Sequence, residues 1–491
     1  MFDLVIKNAN IIDGTGKKPF KGDVGIAQGI IIEIKNNLNK AKNIFDADGL
    51  TLSPGIIDSH THYDAQLTWD NRARPSLSLG VTTVLIGNCG FTIAPCKKEH
   101  RNITIKNLTK VEGMSLVSLK KGIDWGFETY EEYLNMIEKK GIALNIASYI
   151  GHSSIRLYVM GNQAMEREAT NDEIKEMEKI IVSCMKSGAI GLATSTFEGH
   201  NGDMGIPMPS RFASNEEHKR LVNAMSIYGR GLYMLTKGSE TSVTDIENII
   251  EESSRPALVA AILDNPLLPE KAIKDLDDIK DANLRGNEIW GQVSCRPLTM
   301  EFTMREPYMF EGLKNWKQVL AKKSISEKFK VMNNKKFRNN LDYEIRDIKI
   351  SKLFNGEWHK VFLLKTSIKY LKKYEGKSIK FISEKENKKE LDWLLDISIN
   401  GGIDNLFIAE LMNSDNNNVK KLLNHDHGMV SLSDAGAHLS YFCDAGFGLH
   451  LLGYWVRDKK IMTLENAVYQ LTGKQADILR IPRRGRLVPG N

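Results

Sequence analysis

The sequence predicts a parallel α/β fold, and a closed (β/α)8 barrel is its simplest form. After Pro54-Gly55, short apolar runs alternate with helical patterns, and about eight such runs can be counted. Alternation of this kind predicts a parallel sheet, and eight units favour a barrel. Residues with metal-binding side chains follow several of the runs, and barrels carry their active sites at the carboxyl ends of their strands. A doubly wound open sheet is the alternative fold.

The predicted barrel strands are short and apolar. They cover residues 55–58, 81–86, 143–150, 189–194, 231–236, 257–263, 288–293 and 429–432. Between them, Thr170 and Glu173 form a capping box for a helix that ends by Gly188. Ser214 and Glu217 open the next helix, and a third helix covers 244–251. The connections between the strands are therefore mostly helical.

Two other segments depart from this alternation. Residues 1–52 are predicted to form small β-structure, because turn signals such as Asp13-Gly14 and Gly22-Asp23 separate their apolar runs. The barrel is expected to cover 53–480. Within it, the segment from about 311 to 425 is rich in Lys and Asn, and we interpret it as a long, solvated helical insertion before the last strand.

The composition excludes several classes of protein. With 42% hydrophobic and 26% charged residues, the 491-residue chain has ordinary globular composition. Its net charge of +6 is too small for this length to indicate nucleic acid or an anionic membrane as a partner. No apolar run reaches the length of about 18 residues that spans a membrane, and the N-terminus lacks a signal peptide's pattern. Five scattered cysteines indicate free thiols and a cytoplasmic location.

Two histidines and a cysteine follow the first two predicted barrel strands. His60 and His62 are alternate residues at a strand end, so both imidazoles can point at one ion. Cys89 ends the second strand between glycines that let the backbone turn near a site. Its thiolate would be a good zinc ligand, although a free cysteine is more often a small buried hydrophobe.

Asp434 lies at the end of the last predicted strand. A carboxylate there can bind the metal, take a proton from its water and later protonate a leaving amine. With His60, His62 and Cys89 it completes a set of nitrogen, sulfur and oxygen ligands that fits zinc best. The natural reaction of such a site is the attack of activated water on a carbonyl group or a similar electrophile.

Other polar residues near the predicted strand ends are candidates for substrate binding. His152 and His200 follow the third and fourth strands, and a structural role is equally compatible with each. Arg211 and Arg296 could pair with a substrate carboxylate, since Arg binds carboxylates in a bidentate manner. Lys237, after the fifth strand, could reach the site as a positive charge.

Several motifs together resemble the amidohydrolase superfamily and, within it, the N-acyl-D-amino-acid deacylase (D-aminoacylase) family. The resemblance covers nearly the whole chain, and its motifs occupy residues 11–16, 54–64, 80–90, 151–153, 208–211 and 433–438. The last motif ends in His438, a further candidate for substrate binding. The combination is specific, although each piece alone is not.

This resemblance implies a distorted (β/α)8 barrel and a small β-sandwich built from both chain ends. Residues 481–491 would begin the C-terminal part of that sandwich, which we expect to be truncated. It also implies zinc-dependent hydrolysis of the linear amide of an N-acyl-D-amino acid. His60, His62, Cys89 and Asp434 match the family's metal and catalytic residues. Metal-bound hydroxide would attack the carbonyl, with Asp434 as general base and then general acid.

The sequence departs from that family in one respect that concerns the metal. Relatives carry single histidines at the ends of the fifth and sixth strands. This chain has Thr236-Lys237-Gly238 and Leu263-Asp264-Asn265 there instead. The expected number of zinc ions is therefore one or two, with the role of Cys89 left open.

Two alternatives to a deacylase remain. A cyclic amidase of the hydantoinase or dihydroorotase type shares the barrel, but it uses a carboxylated lysine at the fourth strand. That strand ends near 195–197 without a lysine. The other alternative is a catalytically decayed scaffold that acts as a binding protein. The missing histidines favour it, and the four ligand-type residues at strand ends oppose it.

Overall fold

The computed structural model describes residues 1–350, 352–437 and 444–491, and eight parallel strands form its centre. The strands in chain order are β1 (Phe2–Ile11), β2 (Phe20–Ala27), β3 (Ile30–Lys35), β4 (Ala41–Asp46), β5 (Thr51–Leu52), β6 (Ile56–Asp58), β7 (Val81–Ile86), β8 (Asn145–Gly151), β9 (Gly191–Ser195), β10 (Leu232–Thr236), β11 (Ala257–Ile262), β12 (Ile289–Val293), β13 (Leu298–Phe302), β14 (Val361–Lys365), β15 (Leu406–Met412) and β16 (Gly428–Val430).

Helices surround the central strands and fill a long segment before the last one. In chain order the α-helices are α1 (Arg101–Val111), α2 (Leu116–Gly122), α3 (Tyr130–Lys140), α4 (His152–Met160), α5 (Asn171–Lys186), α6 (Asn215–Met225), α7 (Val243–Ile250), α8 (Lys271–Leu284), α9 (Tyr308–Glu311), α10 (Lys317–Leu320), α11 (Ile325–Met332), α12 (Lys335–Arg346), α13 (Ile379–Lys385), α14 (Glu390–Ile397), α15 (Asn416–Leu423), α16 (Phe447–His450), α17 (Leu464–Leu471) and α18 (Gly473–Ile478). Thr170 and Glu173 form the predicted capping box of α5.

The central sheet has the strand order β16-β12-β11-β10-β9-β8-β7-β6, and all its pairs are parallel. A parallel bridge between Thr61 and Ala435 joins the segments that follow β6 and β16, which brings the first and last strands together. All residues of β9 and β10 are buried, as expected for strands that are covered on both faces. The predicted barrel is confirmed, with each of its eight strands at the expected place.

The N-terminal residues form a separate β domain. Its sheet has the order β3-β2-β1-β4, with β5 paired to β1. The chain turns at Gln28-Gly29 between β2 and β3. The C-terminal residues add to this domain. Ile31 N donates to the carbonyl oxygen of Asn491 at 2.8 Å, and Leu487 packs against its small core.

The Lys- and Asn-rich insertion has its own core. Strands β13, β15 and β14 form an antiparallel sheet, and helices α9 to α14 lie between them in the chain. Trp316, Trp393 and Phe407 are buried in this core, where each large side chain contributes about 1.5–3 kcal/mol. The expectation of a purely helical, solvated insertion is therefore wrong. The lysines lie on the surface, but the apolar residues between them build a packed unit.

Membrane insertion finds no support in the helices. Within the part of the chain that the structure describes, none of them has the length and apolar character needed to cross a bilayer.

Candidate metal centre and active site

His60 and His62 lie directly after β6, at the carboxyl end of the barrel. Both are buried, and their ring centroids are 5.4 Å apart. Their backbone is hydrogen-bonded to the segment that follows β16: His62 N donates to Ala435 O at 2.7 Å, and Asp434 N donates to His60 O at 3.1 Å. The contact that closes the barrel thus also fixes the backbone of both histidines.

Cys89 completes a cluster of three possible metal ligands. Its Sγ lies 3.4 Å from His60 Nε2, and one donor atom from each of Cys89, His60 and His62 falls within 4.8 Å of the other two. Cys89 has a left-handed backbone with φ 58°, which is uncommon for a residue with a side chain. Among the described residues this is the one group of three or more such ligands.

Asp434 faces both histidines. Its Oδ1 lies 3.3 Å from His60 Nε2 and 3.5 Å from His62 Nε2. Asp434 also has a positive φ of 51°, so a kink after β16 accompanies its position at the site. The nearby Gly436 has φ +91°, and a Cβ there would lie 2.7 Å from the His62 carbonyl carbon. Only glycine permits this close approach.

Three residues that the sequence analysis did not identify contact these ligands. His60 Nδ1 lies 3.0 Å from Gln292 Oε1, and His62 Nδ1 lies 3.2 Å from Glu112 Oε1. Thr236 Oγ1 donates to Cys89 Sγ at 3.1 Å. Gln292 gave one signal in the sequence, as a polar residue within a predicted buried strand. Glu112 gave none, because it lies just after α1, which the tertiary fold brings to the site.

The charges of the cluster favour the thiolate form of Cys89. Burial alone would raise the pKa of the Cys89 thiol, but His60 and His62 outweigh it and lower the pKa to about 6. Cys89 is then largely a thiolate at neutral pH, which is the form that binds metals. Burial raises the pKa of Glu112 to about 8, although the positive charge of His62 opposes this shift.

A cavity of about 230 Å³ opens above the cluster. His60, His62, Cys89, Glu112 and Asp434 lie at its base. The barrel contributes apolar side chains to its walls, the insertion contributes Leu353 and Met412, and the segment just before the insertion contributes Leu298 and Tyr308. The insertion is therefore part of the cavity wall.

Two of the candidate substrate-binding residues line this cavity. His200 lines the cavity, and its Nδ1 lies 2.6 Å from Ser195 Oγ. Lys237 lines it as well, and its Nζ lies 3.3 Å from Asp275 Oδ2 on α8.

The other candidates lie elsewhere. His152 is fully buried, and its two ring nitrogens each lie 2.8 Å from a partner, Thr194 Oγ1 and Glu217 Oε1. This position fits the structural role that the sequence left open for His152, because α4 begins at His152 and packs it inside the wall. Arg211 donates to Glu198 O and Asn201 Oδ1 at 3.1 and 2.8 Å.

Arg296 and His438 complete the set of candidates. Arg296 Nε lies 2.8 Å from Asp444 Oδ2, and the Arg296 side chain is 40% exposed. His438 lies outside the described residues.

Comparisons with known proteins agree with this architecture. Residues 43–284 match the amidohydrolase family. Over 233 residues the chain is 34% identical to a D-aminoacylase of Alcaligenes xylosoxydans xylosoxydans, a match that covers 47% of this chain and 43% of that protein.

Two solved structures share the fold over the whole chain. A crystal structure of D-aminoacylase, described as defining a novel subset of amidohydrolases, has a TM-score of 0.69 at 23% identity and covers 100% of this chain and 88% of its own. The N-acyl-D-glutamate deacylase from Bordetella bronchiseptica, complexed with zinc and a phosphonate mimic of the tetrahedral intermediate, has a TM-score of 0.67 at 21% identity with the same coverage.

Proposed function

We propose that this chain hydrolyses the linear amide of an N-acyl-D-amino acid to a carboxylate and a free D-amino acid. The match of residues 43–284 to the amidohydrolase family and the D-aminoacylase and deacylase relatives support a metal-dependent hydrolase of carbon–nitrogen bonds other than peptide bonds. The substrate, the identity of the ion as zinc and the residue roles are the proposal.

The proposed hydrolysis rests on one observation about the site. Three donor atoms of His60, His62 and Cys89 lie within 4.8 Å of one another at the base of a cavity. The carboxylate of Asp434 lies within 3.5 Å of both imidazoles. A metal site with a carboxylate beside it is the arrangement that amide hydrolysis by activated water requires.

The donor set fits zinc. Two imidazoles and one thiolate are ligands that this ion prefers, and the low pKa of Cys89 supplies the thiolate. Gln292 contacts Nδ1 of His60, and Glu112 Oε1 lies 3.2 Å from Nδ1 of His62, so Nε2 of each ring would be the atom presented to the ion. When bound, zinc would lower the pKa of a water molecule and polarise the scissile carbonyl group.

Asp434 moves the proton. Its carboxylate accepts a proton from the attacking water as the oxygen bonds to the carbonyl carbon. The same proton then passes to the amide nitrogen as the carbon–nitrogen bond breaks. Water and amide thus become carboxylic acid and amine, and Asp434 returns to its carboxylate form. His60 and His62 keep Asp434 aimed at the cavity through their contacts with its Oδ1.

We further propose a single ion per chain. The barrel strands β10 and β11 end at Thr236 and Ile262 without a histidine. Thr236 donates to Cys89 Sγ, and Lys237 pairs with Asp275, so neither position offers a second set of ligands. The three-residue cluster can account for one zinc ion.

The preference for a linear N-acyl-D-amino acid rests on the relatives. Proteins called D-aminoacylase and N-acyl-D-glutamate deacylase share this fold. A cavity of about 230 Å³ with apolar walls suits a small substrate with an acyl chain. No lysine ends β9, so the carboxylated lysine of cyclic amidases has no counterpart on that strand.

The test is an amine-release assay on purified chain, stripped of metal and reloaded with one equivalent of zinc. N-acetyl-D-amino acids, their L-enantiomers and 5-substituted hydantoins are compared. We expect release from the D-substrates only, and loss of activity after chelation. Faster turnover of L-substrates or hydantoins would overturn the substrate assignment.

An Asp434→Asn variant tests the proposed mechanism in the same assay. It should lose about 10²–10⁴-fold in kcat, the usual contribution of a general acid–base. Zinc should remain bound, because His60, His62 and Cys89 are unchanged. Full turnover by this variant would remove Asp434 from the mechanism.

A further inference from the structure

Gln292 is fully buried at the end of β12 and contacts His60 from behind. Its Oε1 lies 3.0 Å from His60 Nδ1. The opposite ring atom, Nε2, faces Cys89 Sγ at 3.4 Å and Asp434 Oδ1 at 3.3 Å. Gln292 therefore contacts the edge of the His60 imidazole that faces away from Cys89 and Asp434.

The orientation of the Gln292 amide is set by its own partners. Its Nε2 donates to Ser59 Oγ at 3.0 Å and approaches Ser59 O at 3.4 Å. Ser59 Oγ in turn donates to Ser431 Oγ at 2.6 Å. The carbonyl oxygen of Ser59 can only accept a hydrogen bond, so an exchange of the amide atoms would lose the bond to it. The amide oxygen is thereby held toward His60.

This orientation fixes the tautomer of His60. Because Gln292 Oε1 can only accept, His60 Nδ1 must carry the hydrogen in the neutral ring. The lone pair is then on Nε2, which faces Cys89 and Asp434. Ser59, Gln292 and Ser431 come from the first, seventh and eighth barrel strands, so the arrangement depends on the closure of the barrel.

We propose that Gln292 is a positioning residue that keeps His60 Nε2 available as a metal ligand. This inference rests on the proposed metal site, and it concerns metal affinity rather than the substrate. The outer hydrogen-bond partners of metal-bound histidines typically change metal affinity by about 10–100-fold when they are removed. The neutral amide makes His60 a weaker base than a carboxylate partner would.

The experiment measures zinc affinity by competition with a chromophoric chelator. Gln292→Leu keeps the volume but removes the acceptor, and we expect zinc affinity to fall about 10–100-fold. Gln292→Glu restores an acceptor and adds charge, so its affinity should equal or exceed that of the parent. This rescue separates hydrogen bonding to His60 from mere packing.

Gln475→Leu is the matched control. Gln475 is also a fully buried glutamine of the barrel, and its Nε2 donates to Val430 O and Gln470 O at 2.8 and 3.0 Å. It contacts no candidate ligand, so its replacement should lower the thermal midpoint but leave zinc affinity within about twofold.

The outcomes separate the two proposals. A loss in Gln292→Leu, with rescue by glutamate and no loss in Gln475→Leu, supports the inference even if no N-acyl-D-amino acid is hydrolysed. Affinity of Gln292→Leu within twofold of the parent overturns it, and so does an equal loss in the control. A parent chain that binds no divalent zinc overturns both the metal site and this inference.

Discussion

Replacing Glu217 by glutamine would test whether His152 belongs to the barrel wall or to the substrate site. Glu217 is fully buried on α6, with Oε1 2.8 Å from His152 Nε2. Its Oε2 pairs with the guanidinium of Arg156, which is also fully buried. Glutamine keeps the size of the side chain but removes its charge, so Arg156 would be left without a counter-ion.

The loss in free energy of unfolding can be worked out in two ways. Burial alone would raise the pKa of Glu217, but His152 and Arg156 outweigh it and lower the pKa to about 2 from an ordinary 4.5. That difference corresponds to about 3 kcal/mol of stability at neutral pH. The breaking of a buried ion pair typically costs about 3–5 kcal/mol. Because the folded pKa is depressed, this stability is present above pH 4.5 and is lost as the pH falls toward 2.

The assay is urea unfolding at pH 7.5, followed by tryptophan fluorescence, together with KM for the best N-acyl substrate. Glu178→Gln is the matched control. Glu178 lies on α5, and its Oε1 is 2.7 Å from Nε of Arg220, which is on α6 like Glu217. The Glu178 side chain is 27% exposed. We expect a loss of about 3 kcal/mol for Glu217→Gln, less than about 1 kcal/mol for the control, and no change in KM for either.

The reasoning would be refuted by a Glu217→Gln variant as stable as the control. A His152→Ala variant with a raised KM and unchanged stability would return His152 to the substrate site, one of the two roles that the sequence left open.

The remaining predictions concern the metal, the pH and the cavity. Cys89→Ala should weaken zinc binding by about tenfold or more in the chelator competition, and parental affinity would exclude Cys89 as a ligand. His218→Phe should flatten the fall of the thermal midpoint below pH 6.5. Burial lowers the pKa of His218 to about 3, so the stability contributed by its neutral form is present above pH 6.5 and is lost as the pH falls toward 3. A thermal midpoint that falls as steeply in the variant as in the parent would contradict this. Arg211→Ala should raise KM equally for substrates with and without a carboxylate, because Arg211 orders the loop of Glu198 and Asn201. An increase confined to carboxylate substrates would show direct pairing instead.

Local sequence patterns predicted the barrel and the candidate site residues at its mouth. The strands could be found because each is a short apolar run between turn signals, and both properties are local. His60, His62, Cys89 and Asp434 could be selected because metal-binding side chains at the carboxyl ends of parallel strands converge on one mouth.

The residues around those candidate ligands could be found only from the tertiary structure. Gln292 is separated from His60 by 232 residues, and only the barrel closure brings the two together. His152 follows a strand as the candidate ligands do, but α4 begins there and packs it against Glu217. The insertion appeared solvated because its lysines dominate the composition, whereas its core comes from apolar residues that are far apart in the chain. Contacts between distant residues depend on the path of the whole chain, and local sequence patterns do not record that path.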